Sequence, residues 1–364
     1  MRIMTILGTR PEIIRLSLII PLLDNYAEKH ILVHTGQNFT QSLSGIFFSE
    51  LGLRAPDHIL QDQQATLGGQ LSTMFLQVEA LLEQEQPDKV LLLGDTNSAL
   101  CALLAERLGF PVVHMEAGNR CYDLNVPEEK NRKVIDAISS INMPYTEQSK
   151  KHLIQEGFPS QRIVLTGNPI YEVMTYYEPQ IEASTIRNKL NLQPKEYFLV
   201  TVHRAENVDQ PEHLSQILQG LNQVAEAHGK RLICSLHPRT ASKMTEADHQ
   251  RMHPLVEFHQ PFGFFDFVKL ERDALCALTD SGTVQEECCI MHVPTVTLRR
   301  TTERPETVDC GSNIISGLHA DHIASSVKLM MDMDRNWNCP DGYLAEHVSE
   351  KVVKFVLGGK RNVQ

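Results

Sequence analysis

The chain has 364 residues, 42% of them apolar and 22% charged, with 34 Lys and Arg against 45 Asp and Glu for a net charge of −11. That length exceeds what one hydrophobic core serves comfortably, so two domains are expected. The acidic balance, without any basic block, argues against nucleic acid and anionic membrane surfaces as partners, and no apolar run reaches the length of a membrane span.

The N-terminus, Met1-Arg2-Ile3-Met4, enters a strand directly in place of a signal peptide, so a cytoplasmic location is expected. Further strands are predicted over residues 31–34, 89–93, 112–115, 162–165, 197–202, 232–235, 274–278 and 294–298, after a first at 3–7. Helical periodicity fills the intervals, as at 70–85, 98–108, 211–228 and 320–333. Alternation of this kind predicts α/β architecture, with parallel sheets covered by helices on both faces. The rhythm breaks over 166–194, where Asn168-Pro169 precedes a polar helical stretch. The boundary is therefore placed between an N-terminal domain, 1–168, and a C-terminal one, 169–344. A final helical segment within 345–364 follows Pro340-Asp341-Gly342 and is free to pack back on the first domain. The eight cysteines show no C-x-x-C spacing and read as reduced, mostly buried thiols, with Cys288-Cys289 as filler on a packed helix.

In such sheets ligands bind at the carboxyl ends of the strands, and the polar motifs collect there. Gly8-Thr9-Arg10 follows the first strand, His34-Thr35-Gly36-Gln37 the second and Gly94-Asp95-Thr96 the third. His203-Arg204-Ala205-Glu206-Asn207, His237-Pro238-Arg239 and Asp280-Ser281-Gly282-Thr283 hold the same position in the other half. Two such edges, turned toward each other, would make an interdomain cleft.

The turn at 279–287 combines a Ser-Gly corner with a helix start. Free N–H groups and the positive end of the helix dipole suit a phosphate, and Glu287 can accept hydrogen bonds from sugar hydroxyls. An ordinary strand-to-helix turn has the same look. Arg10 and Arg15 flank the helix that opens at Pro11; Arg15 reads equally as a solvated helix face. No G-x-G-x-x-G opens a β–α unit and no Walker A sequence occurs, so no nicotinamide cofactor or P-loop is supported. Asp95, Glu116 and Glu128 place three carboxylates near one edge, where they suit acid–base work or a divalent metal. The neighbouring arginines favour ion pairs over a metal, and Glu129 with Arg132 has the spacing of an i,i+3 helix pair. His203 can serve as acid or base and Arg204 can pair a phosphate or carboxylate. His237 repeats that argument in weaker form, and the charges of Arg300-Thr301-Thr302-Glu303-Arg304-Pro305-Glu306 suit mutual pairing as well as ligand contact.

The ordered set Gly8-Thr9-Arg10-Pro11-Glu12, His34-Thr35-Gly36-Gln37, Gly94-Asp95-Thr96, Glu116-Ala117-Gly118, Pro127-Glu128-Glu129-x-Asn131-Arg132, Thr166-Gly167-Asn168, His203-Arg204-x-Glu206-Asn207, Asp280-Ser281-Gly282 with Gln285-Glu286-Glu287, and Thr302-Glu303-Arg304-Pro305-Glu306 resembles the non-hydrolysing UDP-N-acetylglucosamine 2-epimerase family over nearly the whole chain. The resemblance implies a GT-B-like pair of Rossmann-type domains facing a cleft, a homodimer, no cofactor, and interconversion of UDP-GlcNAc and UDP-ManNAc. It implies a catalytic group of Asp95, Glu116, Glu128 and His203. It matches Arg10, Ser281, Gly282 and Glu287 to positions that hold UDP, and Arg15, Arg132, Arg204, His237, Phe264, Thr283 and Arg304 are taken as further candidates for the UDP-sugar. The short stretch 119–126 is similar to a branch acting on UDP-6-deoxy-L-HexNAc, whereas Gln285-Glu286-Glu287 is similar to the UDP-GlcNAc enzymes. Asn38 stands where a histidine is common and no arginine occurs in 67–75, so activation by a second UDP-GlcNAc is not implied. Hydrolysis to UDP and free sugar, glycosyl transfer, and non-catalytic sensing are the competing readings.

Overall fold

A computed structural model describes residues 1–36, 45–61, 64 and 66–358; Gln37 and Asn38 lie outside them. The chain divides into two compact units, Met1–Thr175 joined by the segment from Asp341 onward, and Tyr176–Pro340. Each is built on six parallel strands. In the first unit these are β1 (Arg2–Leu7), β2 (Lys29–His34), β3 (His58–Ile59), β4 (Lys89–Leu93), β5 (Val112–Met115) and β6 (Ile141–Met143), in the order β3-β2-β1-β4-β5-β6. The second holds β7 (Tyr197–Thr201), β8 (Arg231–Ser235), β9 (Val256–His259), β10 (Cys276–Thr279), β11 (Thr295–Thr297) and β12 (Asn313–Ile315), in the order β12-β11-β10-β7-β8-β9. The two orders are the same doubly wound topology, so both units are Rossmann-like. Each sheet reverses its direction of travel at one place, between β1 and β4 and between β7 and β10.

The strands' continuous apolar runs follow from burial on both faces. Side chains alternate across a strand, and β7 shows the consequence: Phe198 and Val200 enter one core cluster, Tyr197 and Leu199 another. Helices Pro211–His228 and Ala320–Asp332 cover the first face with Leu214, Ile217, Leu221, Ile323 and Val327. Residue pairs such as Ile217 and Leu221 recur at helical spacing, and each such buried side chain contributes roughly 1.5–3 kcal/mol. Prolines at the starts of Arg10–Leu16, Pro127–Ile138 and Pro211–His228 occupy the turn where a missing N–H costs nothing.

Several predicted elements differ in detail. The expected strand at 162–165 is absent as such: Ile163 makes only a bridge to Asn142, because the preceding 160–162 turns into a 3-10 helix. The helix expected over 98–108 splits into a 3-10 turn, Asn97–Leu100, and Cys101–Arg107. Four strands escape the sequence reading, β3, β6, β9 and β12, and all four are sheet edges. The last helix, Val348–Leu357, packs on Ile19–Tyr26 in the first unit, where Lys89 Nζ donates to Val356 O at 2.6 Å. No helix among the described residues is long and apolar enough to cross a membrane.

Candidate active site

The polar motifs sit where each sheet reverses. In the first unit, Gly8-Thr9-Arg10 leaves β1 and Gly94-Asp95-Thr96 leaves β4, its neighbour in the sheet. Glu12 fastens the two loops together. Its Oε2 accepts from Gly8 N at 2.7 Å and Thr9 N at 2.6 Å, and its Oε1 accepts from Thr96 Oγ1 at 2.8 Å. Burial raises this carboxyl to about 7 despite those donors. Arg10, at the helix start, lies over the Phe47 ring at 5.6 Å.

Asp95 accepts from Arg132 Nε at 2.7 Å, and Arg132 Nη1 also donates to Glu129 at 2.5 Å. Glu129 in turn accepts from the backbone N–H groups of Cys121 and Tyr122, so the i,i+3 pair braces the loop before its own helix. Glu116 follows β5 with φ +65°, a left-handed conformation that a non-glycine residue adopts at a cost of order 1 kcal/mol or more. Its carboxylate stands 3.7 Å from Arg15 Nη1. Arg15 is therefore buried against Glu116, which overturns the reading of a solvated helix face. The loop is pinned beneath by His114, bonded to Asp136 at 2.9 Å and to Gly94 O at 2.8 Å, and by Gly118 N donating to Asp136. Gly118 has φ +80°, and a Cβ there would meet Ser149 O at 2.3 Å. Glu128 lies half-buried in the first turn of Pro127–Ile138.

In the second unit the organiser is Asp280, at the end of β10. Fully buried, it accepts from His203 N at 2.9 Å, Arg204 N at 2.8 Å and Asn207 Nδ2 at 3.0 Å, and it pairs with His203 Nδ1 at 3.1 Å. Burial opposes its charge, but His203 and these N–H groups outweigh that and hold Asp280 at about 2. The Nδ1 contact fixes the imidazole and presents Nε2. The His237 ring centroid lies 5.4 Å from that of His203. Helix Gly282–Ile290 starts beside this turn; the Ser281 and Thr283 hydroxyls share a hydrogen bond at 3.0 Å, and the Ser281 side chain does not cap the first N–H groups. Those groups remain a cradle for an anion.

The loop after β11 locks onto the same corner. Glu303 accepts from Arg204 Nη2 at 2.8 Å and Arg299 Nη1 at 2.6 Å, and Arg304 Nε donates to Glu286 at 2.5 Å. Gly282 leaves room for the Glu303 carboxylate, which a Cβ there would approach to 2.6 Å and force to shift. Of the five arginines expected at the ligand, Arg15, Arg132, Arg204 and Arg304 thus face carboxylates of the protein. Phe264 is buried beside Tyr177 and Phe265, at the first position of helix Phe264–Asp273. Glu287 is 5% exposed, on the same helix as Gly282. Glu12, Asp280 and Glu303 hold these loops together; the sequence reading gave Glu12 and Asp280 no such role and anticipated for Glu303 only pairing within its own loop.

A family model for UDP-N-acetylglucosamine 2-epimerase matches residues 23–357. The chain belongs to the UDP-N-acetylglucosamine 2-epimerase family. It is 39% identical to the UDP-N-acetylglucosamine 2-epimerase of Methanocaldococcus jannaschii, over 99% of this chain and 100% of that one. The structure of that archaeal family member in complex with UDP-GlcNAc and UDP superposes with a TM-score of 0.93, at 39% identity, covering 99% of this chain and all of the other. A second family relative is the Pseudomonas aeruginosa UDP-2,3-diacetamido-2,3-dideoxy-D-glucuronate 2-epimerase, 34% identical over 90% of this chain and 92% of its own. WaaG, a glycosyltransferase of lipopolysaccharide biosynthesis, shares the fold alone, with 13% identity and a TM-score of 0.62 over 99% and 100% of the two chains. The epimerase family chain is accordingly GT-B-like.

Proposed function

We propose that the chain interconverts UDP-GlcNAc and UDP-ManNAc by eliminating and re-adding UDP, without hydrolysis. The proton on C2 of an N-acetylhexosamine is not α to a carbonyl, so its direct removal as a simple acid is too costly. Elimination avoids that cost: the C2–H bond and the C1–O bond both break, a proton passes to a protein base, and the electron pair of the C1–O bond leaves on UDP. The glycal-like intermediate then accepts UDP again at C1 and a proton on the opposite face of C2.

One observation carries this reading. Each sheet places complementary chemistry at its own reversal: carboxylates in the first unit, and in the second an anion cradle beside a histidine anchored by a buried aspartate. The N-terminal N–H groups at 282–284 and Arg10 serve the diphosphate. His203 serves the departing oxygen as acid, and Glu287 the ribose hydroxyls. Asp95, Glu116 and Glu128 serve the proton at C2. Glu116 stands foremost among them, because its left-handed backbone is maintained at a cost and aims a carboxylate beside Arg15. Arg132, Arg204 and Arg304 hold the carboxylates that shape the site.

The test is NMR of the protein with UDP-GlcNAc in deuterium oxide. UDP-ManNAc carrying deuterium at C2 is expected, with no free sugar. Free ManNAc would instead establish a hydrolase, and no turnover without an added acceptor would favour glycosyl transfer. The uronate relative at 34% identity supports a second substrate arm, in which UDP-6-deoxy-L-HexNAc and uronate analogues are offered to the same preparation. A cytoplasmic homodimer supplying surface polysaccharide synthesis is the setting we propose.

A further inference from the structure

The mechanism above makes no use of one fully buried acid. Glu271, on helix Phe264–Asp273, is 0% exposed, and no hydrogen-bond donor among the described residues reaches either of its oxygens. Of its chain neighbours, Leu270 shares a core cluster with Val284 and Cys288 of the neighbouring helix Gly282–Ile290, whereas the Arg272 guanidinium is engaged by Glu178 and Glu182. The groups that face it are the Glu287 carboxyl and the Cys288 thiol from that helix, and Tyr197 from β7, whose hydroxyl donates away to Leu270 O at 2.7 Å. A carboxylate in such a place would be a buried charge with no donor, which burial strongly disfavours. A carboxylic acid has a hydroxyl to give, and the oxygen available to receive it belongs to Glu287.

We infer that Glu271 is a positioning residue for Glu287: it keeps its proton and donates it to the Glu287 carboxylate, so the pair carries one negative charge aimed at a vicinal diol of the ligand. Burial first, and then the facing Glu287, push Glu271 well above the usual carboxylate range. The shared proton fixes the orientation of Glu287 without neutralising it. The diol half of the inference rests on the proposed nucleotide site; the proton half does not.

Two measurements on the full chain separate these halves. Trp337 is the only tryptophan, and its Nε1 donates to Cys289 O at 3.0 Å, at the end of the Glu287 helix, so its fluorescence reports unfolding of this unit. An acid whose folded pKa is raised stabilises the fold below the unfolded value of about 4.5 and loses that stability as pH rises toward its folded value. Between pH 5 and 8 the wild-type unfolding constant is expected to climb relative to that of Glu271→Gln, by up to about tenfold per pH unit. Parallel curves would overturn the shared proton. In the second measurement, calorimetric titration compares UDP with 2′,3′-dideoxy-UDP. Wild type and Glu271→Gln, which also donates, are expected to prefer UDP by about tenfold or more, whereas Glu271→Leu falls to within about threefold. An unchanged preference in Glu271→Leu would sink the positioning role. Absence of UDP binding to the wild type would instead remove the nucleotide reading and leave the unfolding curves to decide the proton.

Discussion

Replacing Asp280 with Asn tests how the second unit's site is held. The carboxylate receives four contacts at 3.1 Å or less, from His203 N, His203 Nδ1, Arg204 N and Asn207 Nδ2. Holding it at about 2 instead of 3.8 corresponds to about 2 kcal/mol favouring the folded, ionised state. The amide removes that charge and turns an NH2 group toward existing donors, adding roughly 1–3 kcal/mol for the groups left unsatisfied. A loss of about 3–5 kcal/mol at pH 7 is therefore expected, read from urea unfolding followed by Trp337. The sign with pH is definite. A depressed carboxyl stabilises above its unfolded value and loses that contribution as pH falls, so the gap between wild type and Asp280→Asn should narrow by about 2 kcal/mol from pH 5 to pH 2. The imidazole also loses its anchor, and kcat for epimerisation should fall more than tenfold. A variant within 0.5 kcal/mol of wild type at pH 7, or a gap that stays constant down to pH 2, would refute the assignment of Asp280 as organiser.

Glu116→Gln should abolish deuterium incorporation at C2 while changing the Kd for UDP less than threefold, since the carboxylate is assigned to the sugar and not to the diphosphate; isotope exchange and calorimetry read the two effects. Gly118→Ala drives a methyl into Ser149 O and forces a left-handed backbone, so a loss of about 3 kcal/mol or more in thermal unfolding is expected. Glu12, raised to about 7 by burial, stabilises most below pH 4.5 and loses that contribution as pH rises through 7; Glu12→Gln should flatten the wild-type decline between pH 5 and 8 seen by circular dichroism. Burial pushes the Cys101 and Cys276 thiols up to about 12, so both should stay unlabelled by a thiol-specific disulfide reagent in the folded protein at pH 8 and react on unfolding, as peptide mapping would show.

The central strands were readable from the chain because burial on both faces leaves an uninterrupted apolar run, as in Lys89–Leu93 or Tyr197–Thr201. The four missed strands are edges, where only one neighbour is needed. Two residues suffice for β3, and Asn142 and Glu257 break the runs of β6 and β9. Local contacts at the site were legible too: Glu129 and Arg132 meet three residues apart on one helix. What stayed hidden were pairings created by strand order. Asp280 reaches His203 across 77 positions because β10 lies beside β7, and nothing in either motif states that adjacency. The same holds for Glu12 with Thr96 and for Glu303 with Arg204.

The return of Val348–Leu357 to the first unit has a bearing on biosynthesis. The leading unit is not a contiguous stretch of chain, since its helix Ile19–Tyr26 waits for a partner encoded more than 320 residues later. On the ribosome, the trailing unit's core residues, Phe198 through Val327, therefore emerge before the leading one can be sealed. A nascent chain halted at Pro340 would carry every strand of both sheets and still expose an apolar groove, a form that chaperones would hold and proteases would find.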